Sequence, residues 1–214
     1  MKLEELYQTF DACPLCVKEH NKLQHILGVG KTKNPNWMFV LINPTYRNIS
    51  SAPNYKGPRF PFIGVKDFWN VLYRAQLISE DLIERINNKD WGDTTKEKVR
   101  SEFMKKSIYL TNLVKCSANH SDYPSRERID EQLKLFKKEL RIVNPKKIVS
   151  FGLLPFEELT GVKIKLKDYW KNTNLQSFSV TVSDKTYPII PCYFPVGRGN
   201  PQKAVEILTK IFQK

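Results

Sequence analysis

Asn43 follows the apolar run Phe39-Val-Leu-Ile42 and precedes Pro44. A side-chain amide both donates and accepts hydrogen bonds, so at the mouth of a buried strand it can hold a water or read the edge of a base. The aromatic segment Pro61-Phe-Ile-Gly64 follows in the next loop, and an aromatic near an amide suits a flat heterocycle. Asn-Pro after a strand also serves as an ordinary turn, and these residues alone fit both readings. A second constellation could bind metal. Cys13 and Cys16 form a Cys-x-x-Cys pair, and Cys116 is followed by His120 in Cys-x-x-x-His spacing. That donor set fits a tetrahedral zinc ion or an unusual iron-sulfur ligand set. The competing reading makes the pair a coincidence and Cys116 a strand-end residue. Cys192 lies within the apolar segment Ile189-Ile-Pro-Cys-Tyr-Phe194 and reads as an inert core thiol.

Composition narrows the partners. The chain has 214 residues, 41% of them hydrophobic, which suits a single domain over residues 1–214 with a sizeable core. No apolar run approaches the ~18 residues of a membrane span, and the N-terminal MKLEELYQTF is charged and amphipathic, so neither a span nor a signal peptide is expected. A cytoplasmic monomer is the expectation, and a disulfide framework is not. Thirty-five Lys and Arg against 22 acidic residues give a net charge of +13, the footprint of a polyanion such as DNA. A generally Lys-rich composition is the competing explanation.

The elements that must position these residues alternate along the chain. Trp37 to Ile42 reads as the first strand, a central parallel one whose carboxyl end is where open α/β sheets place ligands. Phe68 to Ala75 has helical apolar spacing, and Ser79 caps a further short helix. Residues 87–106, with Asn-Asn-Lys-Asp and Gly-Asp-Thr-Thr, read as a polar connection into a second strand at Ser107–Leu110. Ser125 caps a helix over Arg126–Val143, with Ile129, Leu133, Phe136, Leu140 and Val143 inward and Lys134, Lys137, Lys138 and Arg141 outward. Asn144-Pro145 ends it. Lys147–Phe151 is the third strand, turning at Gly152 into another helix. Ser177–Ser183 and Tyr187–Phe194 flank a hairpin whose second arm is the fourth strand, and Gln202–Phe212 is the last helix. The alternation predicts a three-layer α/β/α sandwich around a central four-stranded, mostly parallel sheet.

On these residues the chain resembles the uracil-DNA glycosylase superfamily along nearly its whole length. Asn43-Pro44 is similar to the Asn-Pro-Gly motif of the mismatch-specific and single-strand-selective branches. Phe60-Pro-Phe62 followed by Phe68-Trp-Asn-Val-Leu-Tyr-Arg-Ala75 is similar to the mismatch-specific branch. Tyr109-Leu-Thr-Asn-Leu-Val-Lys-Cys116 and Cys13-x-x-Cys16 resemble the iron-sulfur branch, family four. Phe194-Pro-Val-Gly-Arg-Gly-Asn-Pro-Gln202 resembles the single-strand-selective branch, which has His-Pro-Ser-Pro-Arg and then Asn-Pro-Gln. The motifs occur in the family's order.

The resemblance implies roles residue by residue. Asn43 matches the residue that holds the attacking water, Phe62 the aromatic that stacks on the extruded base, and Asn112 the reader of the base edge. Phe62 as an ordinary core aromatic, and Asn112 as a strand-end cap, are the bland alternatives. Arg198, with Asn200 and Lys115, would contact DNA as the nucleotide flips, unless Arg198 is only surface charge. Thr45 is small where family-one enzymes carry a bulky Tyr, which implies a pocket admitting uracil or a 5-substituted pyrimidine. Two departures stand out. The motif-B His, which stabilises charge on the departing base, is Phe194 here; such a donor is typically worth ~10²–10³ in rate. The fourth cysteine of the iron-sulfur branch falls near Gln132, no credible ligand, so His120 would complete Cys13, Cys16 and Cys116, with zinc favoured slightly over a [4Fe-4S] cluster. The implied activity is that of a DNA glycosylase, in base-excision repair or, by analogy alone, in defence against phages with modified DNA. The alternatives are a nucleic-acid-binding member silenced by the loss of His, and a hydrolase of free nucleosides, for which +13 is more charge than a small ligand needs.

Overall fold

The computed structural model describes residues 1–13, 23–119, 123–171, 177–197 and 199–212. Its sheet comprises β1 Val29–Gly30, β2 Trp37–Leu41, β3 Ile108–Asn112, β4 Lys147–Phe151, β5 Phe178–Val182 and β6 Lys185–Cys192, in the order β1-β3-β2-β4-β6-β5. The pairs β3/β2, β2/β4 and β4/β6 are parallel, and only the edge strands run antiparallel. The expected sheet of four strands is thus one of six, because the hairpin arm β5 pairs fully with β6 and the short β1 adds to β3.

Side chains on the inner strands alternate between two cores, as the period of two requires. Phe39, Leu41, Ile108, Leu110, Val149 and Phe151 enter one; Met38, Val40, Tyr109 and Ile148 enter the other. The first core is covered by α2 Lys66–Arg74, α3 Glu80–Asn87, α4 Asp93–Lys105 and α8 Pro201–Phe212. The second is covered by α1 Leu3–Asp11, α5 Arg126–Val143 and α6 Leu153–Thr160, and α7 Leu166–Lys171 precedes β5. Burial on both faces explains why β2 and β3 read as nearly continuous apolar runs.

Local signals set the helix ends. Ser79 Oγ accepts from the Leu82 amide at 3.3 Å and Ser125 Oγ from the Arg128 amide at 3.3 Å, satisfying donors the helix leaves open. Asn144, at φ 56°, closes α5 in the left-handed region that asparagine tolerates. One expectation fails: residues 93–105, read as part of a polar connection, form α4. Thr95, Val99 and Phe103 are buried at a spacing of one turn while mostly polar and charged side chains fill the rest of the surface, so a narrow buried stripe suffices once the sheet is there to receive it.

Candidate functional site

The parallel strands β3, β2, β4 and β6 all end on one edge of the sheet, and Asn112, Asn43, Gly152 and Phe194 stand at or just past those ends in that order. Beyond the strands the chains stay paired. Leu113 and Val114 donate their amides to the Leu41 and Ile42 carbonyls at 2.7 and 2.8 Å, Ala118 donates to Pro44 at 3.0 Å, and Thr45 bridges Ala118. The regular ladder of β2 ends at Leu41, ahead of Pro44, yet the Pro44 carbonyl remains an acceptor. Asn43 is half-buried at this rim, its Nδ2 donating to the Pro44 carbonyl at 3.0 Å. The Thr45 carbonyl takes Ser51 Oγ at 3.1 Å, fixing the loop behind it.

Asn112 closes β3 and is 2% exposed, and its Nδ2 has no hydrogen-bond partner. A buried amide donor left without a partner costs ~1–3 kcal/mol, and such an atom calls for a ligand or a water.

Phe62 is half-buried on the loop before α2, at φ 66°, a conformation rare for an aromatic residue. Its carbonyl accepts from Trp69 Nε1 at 2.9 Å, and its ring stacks on Phe68 with centroids 4.0 Å apart. Phe68 in turn meets Phe151 edge-on at the end of β4. Gly152 follows with φ 89°, and a side chain there would touch Phe194. Phe62, through Phe68, and Phe194, at Gly152, both reach the end of β4 and pack on one core. After Phe194 the chain turns tightly: Asn200 donates its amide to the Phe194 carbonyl at 3.0 Å, and a Cβ at Gly199 would run into that carbonyl. Asn200 is exposed and its Oδ1 accepts from the Lys203 amide at 3.1 Å, so it caps α8. Arg198, between them, lies outside the described residues.

Lys115 does not face DNA. It is fully buried, and its Nζ donates to Glu139 Oε2 at 2.5 Å, to Thr111 Oγ1 at 2.6 Å and to the Asn112 carbonyl. Its chain leads inward because the surrounding Leu113, Val114 and Cys116 are core residues. Burial pushes the Lys115 ammonium below its usual range while Glu139 holds it up. The network continues: Glu139 Oε1 accepts from Tyr109 at 2.7 Å and Thr111 at 3.1 Å, Tyr109 meets the Tyr7 hydroxyl, and Tyr7 accepts from the Gly28 amide at 3.1 Å. Burial drives the Tyr7 and Tyr109 phenols upward, with Glu139 adding to the effect. A contact predicted for phosphate is therefore a buried brace beneath Asn112.

On the same loop a second group forms. The strap around His25 crosses it: Ile26 donates its amide to the Lys115 carbonyl at 2.9 Å, and Ser117 Oγ donates to the Gln24 carbonyl at 2.7 Å. Cys13, His25 and Cys116 are all buried, and their ligand atoms lie within 4.8 Å of one another. This group could hold a metal ion: His25 Nε2 is a buried nitrogen without a partner, and two sulfurs and an imidazole suit zinc. His25 was not among the ligands expected. Cys16 and His120, which were, lie outside the described residues. Cys116 is disulfide-bonded, where a reduced thiol was expected. Gln132, expected near the position of the iron-sulfur branch's fourth cysteine, is buried, and its Oε1 accepts from the Lys115 amide at 3.0 Å, so it supports the loop. Cys192 is the core thiol expected, fully buried and pushed well above the usual thiol range by that burial.

Among the described residues no helix is long and apolar enough to cross a membrane. No curated protein matches the sequence. The Uracil DNA glycosylase superfamily does match, over residues 25–213, a span that holds every rim residue described above and leaves only Cys13 and Cys16 of the named ligands outside; the chain belongs to that family.

Proposed function

We propose that this protein is a DNA glycosylase that extrudes a pyrimidine, uracil or a 5-substituted relative, and hydrolyses its N-glycosidic bond. The observation that carries the reading is the buried, unpartnered Asn112 Nδ2 on the same strand rim as Asn43. A pyrimidine carbonyl is the acceptor such a donor lacks, and an extruded base is what can reach it. Phe62, held at an unfavourable φ with one face of its ring on Phe68, would supply a rigid stacking surface. Asn43 would hold a water against the sugar's anomeric carbon. As that carbon's bond to the base nitrogen breaks, the bonding pair leaves with the base, the water oxygen takes its place and gives a proton to solvent, and the departed base nitrogen takes one up from solvent.

Thr45 beside Asn43 is small enough for a 5-substituted ring, which bears on substrate choice. Arg198 and Asn200, on the loop after β6, are proposed to meet the DNA backbone. The Cys13, Cys16 and Cys116 thiolates with one histidine would hold a single ion, zinc in preference to a four-iron cluster because the donor set mixes sulfur and nitrogen. Its contribution would be to tie the N-terminal helix to the loop after β3.

A second reading rests on Phe194. A phenyl ring donates no hydrogen bond, so nothing from that position would stabilise charge on the departing base. On that reading the protein binds nucleic acid and turns nothing over. Oligonucleotides carrying a panel of pyrimidine lesions, scored for alkali-labile abasic sites, separate the two. Strand scission at one lesion, lost in Asn43→Ala, supports the glycosylase; binding without scission at any lesion supports the silent module.

A further inference from the structure

His25 carries more than a place in the cysteine group. Its Nδ1 lies 3.4 Å from Asp11 Oδ1 while its Nε2 is buried with no partner. Asp11 ends α1 two residues before Cys13, so one helix end delivers both a thiol and a carboxylate to the same place. The carboxylate is gripped from outside by Arg59, whose two terminal nitrogens donate to the two oxygens at 2.7 Å each. Arg59 directly precedes Phe60, whose carbonyl is held by Asn48 Nδ2 at 2.8 Å, and the same loop carries Phe62. An imidazole with one nitrogen held by a carboxylate and the other bare is the arrangement of a metal-ligating histidine, because the carboxylate fixes the tautomer and strengthens the opposite lone pair.

We propose that His25 Nε2 is the nitrogen ligand of the metal held by Cys13 and Cys116, that Asp11 orients it, and that Arg59 couples this centre to the loop carrying Phe62. The inference rests on the metal reading above. It replaces His120 by a residue whose position the strap across Lys115 and Ser117 fixes. Binding requires thiolates. A phosphine reductant supplies the two electrons that open the Cys116 disulfide and ends as its oxide, water giving the oxygen and the two protons of the thiols, which pass to solvent as the ion binds.

The test titrates phosphine-reduced, full-length protein with zinc against a chromophoric chelator. The parent should bind about one ion. His25→Ala should weaken zinc at least ~100-fold, His25→Cys should restore it, and His120→Ala should leave it unchanged. Asp11→Asn, at a carboxylate that is partly exposed, should weaken zinc ~10–100-fold without unfolding the chain. With cobalt as the probe, His25→Cys should strengthen the sulfur-to-metal absorption. In hydrogen exchange, zinc should protect the amides of residues 59–64 in the parent and not in Arg59→Ala. Parent-like zinc binding by His25→Ala, or loss of zinc in His120→Ala, overturns the ligand assignment while leaving a metal centre in place. Unchanged affinity in Asp11→Asn, or equal loop protection in Arg59→Ala, overturns the relay. A reduced parent that holds neither zinc nor iron sinks the metal reading and this inference together.

Discussion

At the scale of the residue, the chemistry turns on two asparagines with opposite accounts. Asn43 Nδ2 is satisfied by its own loop, whereas Asn112 Nδ2 is buried and unsatisfied. Asn43→Ala should therefore cut excision at least ~10-fold with DNA affinity nearly intact, since its contact acts chiefly in the transition state; single-turnover rates beside binding isotherms check this. Asn112 is different because the folded protein already bears the cost of its bare donor. Asn112→Leu, close in volume, should leave the melting temperature unchanged or higher while base excision falls ~10-fold or more. A lower melting temperature would show that the amide has a structural partner after all. The placement of Asn43, Asn112 and Phe194 at the ends of parallel strands was legible in the sequence from their neighbours. His25 was not: no spacing motif marks it, and only the strap hydrogen bonds bring it to Cys116. Lys115 left a trace, a cation inside Leu-Val-Lys-Cys, an apolar stretch that suits burial better than a phosphate contact.

The elements explain how the rim is held. Gln132 and Glu139 lie on the inner face of α5 among Ile129, Phe136, Leu140 and Val143, polar intruders on an apolar stripe whose partners turn out to be β3 and the loop after it. Glu139→Ala would leave the Lys115 ammonium buried and unpaired, a loss of ~3–5 kcal/mol. The double change Lys115→Met with Glu139→Leu should recover most of it, since apolar replacement of a buried pair is often neutral. Denaturant unfolding of the single and double variants measures the coupling. The same network carries a pH signature. Both phenols, Tyr7 from α1 and Tyr109 from β3, are raised above the value of 10.0 they start from. They keep their protons in the fold where an unfolded chain would release them, so their contribution is intact below pH ~10 and is lost as pH rises through the raised values. Melting temperatures should fall above pH ~10, and Tyr7→Phe should flatten that fall. The helices from 126 and 201 were readable because their apolar stripes are broad and capped, whereas α4 has only Thr95, Val99 and Phe103 to announce it. The edge strand β1 is too short for any periodicity to appear.

For the whole molecule, charge is the property that acts at a distance. A net charge of +13, with Lys134, Lys137, Lys138 and Arg141 exposed along α5, should make DNA affinity fall steeply with salt. A log-log slope of magnitude ~3 or more is expected if several phosphates are contacted; a flat dependence, measured by fluorescence anisotropy, would remove the nucleic-acid reading. The sheet order has a kinetic consequence. The hairpin β5–β6 is the only strand pair among the described residues that closes locally, while β2, β3 and β4 meet through long crossovers. Refolding is then limited by the search for distant pairings, in the slow range of ~ms to s for non-local topologies. The loop after β3 and the strap around Gln24, 93 residues from Ser117, find each other late in that search. The newly made chain would thus present its cysteines one by one before the pocket for an ion exists, and early capture of metal by Cys13 and Cys16 alone would trap it off the productive route.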